Sequence, residues 1–147
     1  MRTRSSRHLA MKAQRGVTLI ELITVMVIVG ILTAIAVPSY RSYMVRANRT
    51  DAKTALLSAA SGLERCFTRS NTYVGCANVA LPVNEPGGHY RIEADAGNGG
   101  VAATRFAIQA VPLGSQASDS ACDTFRLTNA NVRSVTGTHT ANDCWGK

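Results

Sequence analysis

From Val17 to Val37 the chain reads VTLIELITVMVIVGILTAIAV, an apolar run interrupted by one charge, Glu21, and three threonines. As a helix it rises about 31 Å at ~1.5 Å per residue, close to the ~30 Å hydrocarbon core of a bilayer. The run therefore reads as a membrane-spanning helix. The rest of the 147 residues has room for one soluble domain of ordinary size, rich in Gly, Ala, Asn and Thr. A secretory signal would be a shorter apolar stretch followed by a small-residue cleavage site. Ala34-Ile35-Ala36 mimics such a site, but the processing-like Gly16 precedes the run instead of following it.

The whole-chain charge of +7 and pI near 9.8 suggest an anionic partner until the charges are located. Arg2, Arg4, Arg7, Lys12 and Arg15 all lie before Gly16 with no acid among them. Without those five, eleven basic residues face nine acidic ones, a net of +2. Nucleic acid is accordingly not expected as the main partner.

Glu21 is the informative residue. An ionisable group in a membrane helix is costly and asks for a partner. A cut after Gly16 would create a cation, the free α-amine of Val17, in the same apolar layer. Within one helix that amine is about a turn away; between staggered neighbours the two charges could pair and set the axial register.

The stretch Arg15-Gly16-Val17-Thr18-Leu19-Ile20-Glu21-Leu22, followed by the apolar run to Pro38-Ser39-Tyr40, resembles the class III signal of type IV pilins and of type II secretion pseudopilins. The resemblance implies that a prepilin peptidase cuts between Gly16 and Val17, that Val17 is N-methylated, and that Glu21 is the assembly glutamate. Gly30 and Pro38 match the family's helix-weakening glycine and proline, so the stretch between them would melt on assembly. Val17 stands where the family usually has Phe. A start at Met11 gives the leader MKAQRG in place of residues 1–16, and both starts stay open. The implied partners are other pilin subunits in a helical filament, the peptidase and the inner-membrane assembly platform. The implied location is the bacterial inner membrane, single-pass with the head in the periplasm, and then the pilus at the cell surface.

Beyond the span, Tyr40, Tyr43, Met44, Ala47, Ala55, Leu56, Ala59 and Leu63 recur at helical offsets with charges between them. This predicts an amphipathic helix over 39–68 whose apolar stripe needs a sheet. Pro38 should kink or open the helix one turn earlier. Residues 69–88 carry turn chemistry and read as a connecting loop. Strand-like alternation follows over 89–136: His89 to Ala96, a Gly97-Asn98-Gly99-Gly100 hairpin, Ala103 to Val111, Asp123 to Thr128 and Val132 to Thr136. The fold class is α+β: a leader (1–16), an assembly helix (17–38) and a head (39–147), the roll that the pilin resemblance also implies.

Four cysteines lie in the head, none at C-x-x-C spacing, and His8, His89 and His139 are far apart. An even count in an exported head reads as two disulfides. Three pairings are open. Cys66–Cys76 and Cys122–Cys144 close the shortest loops and are expected, each contributing about 3 kcal/mol in the loop-entropy model and the second bounding a C-terminal region, 122–144. The cysteine contexts LERC, YVGC and a terminal CW look most like PilE-type minor pilins. Asp95, Asp119 and Asp123 lack the spacing of a calcium loop, and no metal or cofactor is expected.

The function expected is a structural subunit of a type IV pilus, a minor pilin supporting assembly, twitching motility and adhesion. One alternative is a type II secretion pseudopilin, which shares the N-terminal half but typically lacks the disulfides. Another is a DNA-receptor pilin, if Arg91, Arg105, Arg126 and Arg133 form a basic stripe on one face. No G-x-S-x-G, H-E-x-x-H or phosphate-loop motif is present, and an enzyme is not expected.

Overall fold

The computed structural model describes residues 16–77 and 79–146, so the expected leader before Gly16 lies outside the described residues. The chain divides into two compact units, one ending at Ser39 and the other beginning at Tyr40. A single helix, α1 (Leu19–Ser70), contributes residues to both.

In the first unit Thr18 starts α1: its hydroxyl accepts the Glu21 N–H at 3.3 Å, satisfying one of the donors a helix leaves open at its N-terminus. The hydroxyls of Thr24 and Thr33 donate back to the carbonyls of Ile20 (2.7 Å) and Val29 (2.9 Å). Glu21 is thus the one charged group of the run. Every residue from Gly16 to Ser39 is exposed. The helix runs through Gly30 and Pro38 as one element, without opening ahead of the proline. A proline inside a helix removes one donor at a cost of about 3 kcal/mol.

In the second unit five strands follow α1: β1 (Val83–Asn84), β2 (Tyr90–Ala94), β3 (Ala107–Pro112), β4 (Phe125–Thr128) and β5 (Arg133–Val135), and the chain closes with a short helix, α2 (Ala141–Trp145). The sheet is an antiparallel meander in chain order. Ile92 lies opposite Ala110, and Ile108 opposite Leu127. Because side chains alternate across a strand, one face carries Tyr90, Ile92, Ile108, Ala110, Phe125 and Leu127, all buried with Ala52, Leu56 and Leu63 of α1. Trp145 joins this core edge-on to Phe125, ring centroids 5.6 Å apart, and its indole N–H donates to the Ser134 carbonyl at 3.2 Å.

Several expectations are corrected. Tyr40 and Tyr43 stand outside the apolar stripe, 64% and 62% exposed. Met44 and Ala47 of the expected stripe are half-buried, and the fully buried positions of α1 are Asn48, Ala52, Leu56, Gly62 and Leu63. The sheet starts inside the expected connecting loop, where Val83 and Asn84 pair with Ile92 and Arg91 across a turn. Buried Glu85 accepts the N–H groups of Gly87 and His89 there, both at 2.6 Å. In place of the tight 97–100 hairpin, β2 and β3 are joined by a longer connection with a 3-10 turn at Ala96–Asn98 and Gly99 and Gly100 at positive φ, and β3 begins at Ala107 instead of Ala103. The helix α2 was not anticipated.

Candidate functional site

The first unit carries the residues expected to serve assembly. Gly16 and Val17 are exposed ahead of α1, and Glu21 lies in its first turn amid exposed Leu19, Ile20, Leu22 and Ile23. A helix this long and apolar can cross a membrane, and none of its apolar window is buried within the chain. A Cβ at Gly30 would meet nothing within 4 Å. Among the described residues, therefore, nothing packs against Gly30.

In the second unit the cysteines are joined as Cys66–Cys76 and Cys122–Cys144. The first ties the C-terminal end of α1 to the following loop, where Tyr73 stacks on Phe67 with centroids 4.5 Å apart. The second ties the loop before β4 to α2, and both of its cysteines are buried. Lys53 of α1 donates to the carbonyls of Cys144 (3.2 Å) and Trp145 (3.5 Å), a cation at the C-terminal end of α2. Burial, then the nearby Arg49 charge, holds the Lys53 ammonium below the usual lysine range.

The four strand arginines do not form one stripe. Arg91 and Arg126 share the outer face, and each has a carboxylate: Arg91 Nε lies 2.9 Å from Glu93, and Arg126 Nε 3.3 Å from Asp95. Arg133 pairs opposite inward-facing Leu127 and lies over the Trp145 ring at 5.3 Å. Arg105 sits in the loop beside Gly99. The three aspartates weighed for calcium are likewise held apart: Asp95 takes the Asn98 amide, Asp119 takes Arg49, and Asp123 takes the Thr136 hydroxyl. Among the described residues no group of three metal-ligating side chains comes together.

A family model described as type IV minor pilin ComP, DNA uptake sequence receptor, matches residues 38–126, more than half of the chain. The prokaryotic N-terminal methylation motif matches residues 11–37. This chain belongs to the type IV pilin family. The type IV major pilin PilA of Myxococcus xanthus is 37% identical to this pilin over 86 residues, 57% of this chain and 39% of PilA. The type IV major pilin PilE1 of Neisseria gonorrhoeae is 37% identical over 97 residues, 62% of this chain and 57% of PilE1. The pilin thus spans between about two fifths and three fifths of the length of these curated relatives. The solved structure of the non-core minor pilin PilV of Neisseria meningitidis shares its fold, with a TM-score of 0.52 at 20% identity, covering 66% of this chain and 91% of PilV.

The head of this pilin also holds a polar network that the sequence did not disclose. The Asn48 amide, buried in α1, donates to Gln116 Oε1 at 3.0 Å, and Gln116 Nε2 donates to the Tyr90 hydroxyl at 3.0 Å. Arg49 grips Asp119 with two contacts, 2.7 and 2.6 Å. Burial pushes the Tyr90 hydroxyl up to about 12, so it remains neutral. For Asp119, burial acts to raise the carboxyl, but the Arg49 hydrogen bonds and charge outweigh it and hold it below the usual carboxylate range. A depressed folded value contributes stability above the unfolded value of about 3.9, and that stability is lost as pH falls through the lower folded value. Asp119→Asn is expected to lower neutral-pH stability by about 3 kcal/mol, the lower end for breaking a buried pair because Arg49 keeps partial contact with solvent, and to flatten the loss below about pH 4. Urea melts of both proteins across that range measure it.

Proposed function

We propose that this pilin is a minor subunit of a type IV pilus, made as a prepilin, cut after Gly16 and N-methylated on Val17. The observation that carries the reading is the fully exposed apolar half of α1 with the single carboxylate Glu21 in its first turn, lying within the matched methylation motif. Before assembly this half crosses the inner membrane with the head in the periplasm; afterwards it packs among the helices of other subunits. Glu21 then pairs with the Val17 amine of a neighbour, and Gly30 and Pro38 mark where the helix yields in the filament. The minor role rests on the family model over residues 38–126. Adhesion and twitching motility follow from membership of such a filament, and no catalytic role is assigned. Mass spectrometry of the mature chain is expected to find N-methyl-Val17 at its terminus, with Gly16→Leu retaining the leader. A mature terminus after Ala36 would overturn the reading.

DNA capture is the second reading, favoured by that model's description as a DNA uptake sequence receptor. It requires salt-dependent retention of duplex DNA by the wild-type chain, and the outer-face arginines, already paired with Glu93 and Asp95, would have to exchange partners.

A further inference from the structure

Arg41, Arg46 and Arg49 of α1, with Asp119, Ser120 and His139, line an open cleft of about 550 Å³ in the head. Its charge is unbalanced. Asp119 is already held by Arg49, whereas Arg41 and Arg46 are exposed and neither guanidinium has a carboxylate partner among the described residues. The facing wall is fixed: the Thr138 N–H donates to the Ser120 carbonyl at 3.0 Å and the His139 N–H to that of Ala121 at 2.8 Å. The other charged groups close by are Lys53, one turn along α1 from Arg49, and Asp143, which lies near His139.

Arg41 and Arg46 follow Val37, the last residue of the apolar run, by four and nine residues. Basic residues that close to a membrane span ordinarily mark its cytoplasmic side, yet in an exported head these lie on the opposite side. Two guanidinium groups there, with no carboxylate partner among the described residues, offer a site to an anion from outside the chain. We propose that the cleft binds the phosphate of an anionic phospholipid in the leaflet through which α1 leaves the bilayer. This inference rests on the membrane-inserted prepilin reading. Guanidinium forks match phosphate oxygens in bidentate geometry, and the Ser120 hydroxyl and His139 ring supply further polar groups. A single headgroup phosphate needs only the two guanidinium groups of this cleft. Duplex DNA would ask for a longer row of phosphate contacts, and the remaining head arginines are scattered or paired.

The test uses the full mature chain, extracted in mild detergent, stripped of lipid and titrated with phosphatidylglycerol under native mass spectrometry. Phosphatidylcholine and a short DNA duplex serve as parallel probes. Wild type is expected to retain phosphatidylglycerol selectively. Arg41→Gln with Arg46→Gln should weaken that retention about thirtyfold, two surface cations' worth. Arg65→Gln with Arg69→Gln, at the far end of α1, should leave it unchanged. Equal retention by wild type and both double variants would overturn the proposal. So would duplex binding that depends on Arg41 and Arg46 while phosphatidylglycerol retention does not. The amount of each chain in membranes and in sheared filaments reports separately on the prepilin reading. Wild-type chain missing from membranes would sink that reading, whereas normal membrane levels with arginine-independent lipid retention would sink the cleft alone.

Discussion

Replacing Glu21 by valine is expected to leave the chain in membranes at wild-type level and nearly to abolish its appearance in sheared filaments. The two readouts diverge because they weigh the same carboxylate against different surroundings. For insertion, Glu21 is a burden within an apolar run, so valine makes the span more favourable. For assembly, a Glu21 carboxylate paired with a neighbour's Val17 amine would neutralise both charges in a layer otherwise made of Leu19, Ile20, Leu22 and Ile23. Removing one member strands the other, at roughly 3–5 kcal/mol for a buried pair. That is at least about a hundredfold in an assembly equilibrium. Glu21→Gln should be nearly as poor, because it keeps the size and polarity but supplies no charge. Thr18 can cap the Glu21 backbone N–H whatever side chain stands at 21, so α1 should begin at the same place in both variants. Equal incorporation at equal membrane level would reduce Glu21 to an interfacial residue.

The parts of this pilin legible in its sequence are those encoded by local periodicity. The apolar run, the later helix and four of the five strands follow from patterns that repeat within a dozen residues. What escaped is non-local or very short. β1 is two residues long, between Pro82 and the Pro86-Gly87-Gly88 turn, too brief to show alternation. The true stripe of α1 includes Asn48, which reads as a surface residue until its partner Gln116, 68 residues away, is brought beside it. Arg49 and Asp119 are 70 residues apart and carry no spacing signal either. The strand arginines show the converse error. Arg133 falls opposite Leu127, and that register put it on the inward side against Trp145, away from Arg91 and Arg126. The helix α2 was available: Thr140 and Asp143 form a capping box, and the T-x-x-D spacing before a terminal Cys-Trp was its signature.

Gly137 is the residue whose role the sequence most thoroughly concealed, and its substitution by alanine is expected to be the most damaging single methyl group in the head. In the sequence it is an ordinary glycine after the last strand. In the structure residues 136–139 run beside 120–124. Gly137 N–H donates to the Cys122 carbonyl at 3.2 Å, and the N–H groups of Thr136 and Thr138 reach Thr124 and Ser120. A Cβ at Gly137 would come within 2.7 Å of the Cys122 carbonyl carbon and closer still to the carbonyl of Ala121. The obstruction is backbone, so no rotamer change relieves it. Cys122 is also anchored through its disulfide to Cys144 in α2, which limits how far the 120–122 loop can retreat. Overpacking of this kind costs about 3 kcal/mol or more. In a head of roughly a hundred residues that lowers the melting temperature by about 15 °C. Gly97→Ala is the matched control, since its Cβ would meet only the Asp95 carboxylate at 3.4 Å, an ordinary contact. Thermal melts of the two variants under non-reducing conditions make the comparison. A Gly137→Ala protein melting within a few degrees of Gly97→Ala would mean that the two segments separate at little cost. The C-terminal region would then hold its place through Cys122–Cys144 and the Trp145 packing instead of through the backbone pairing around Gly137.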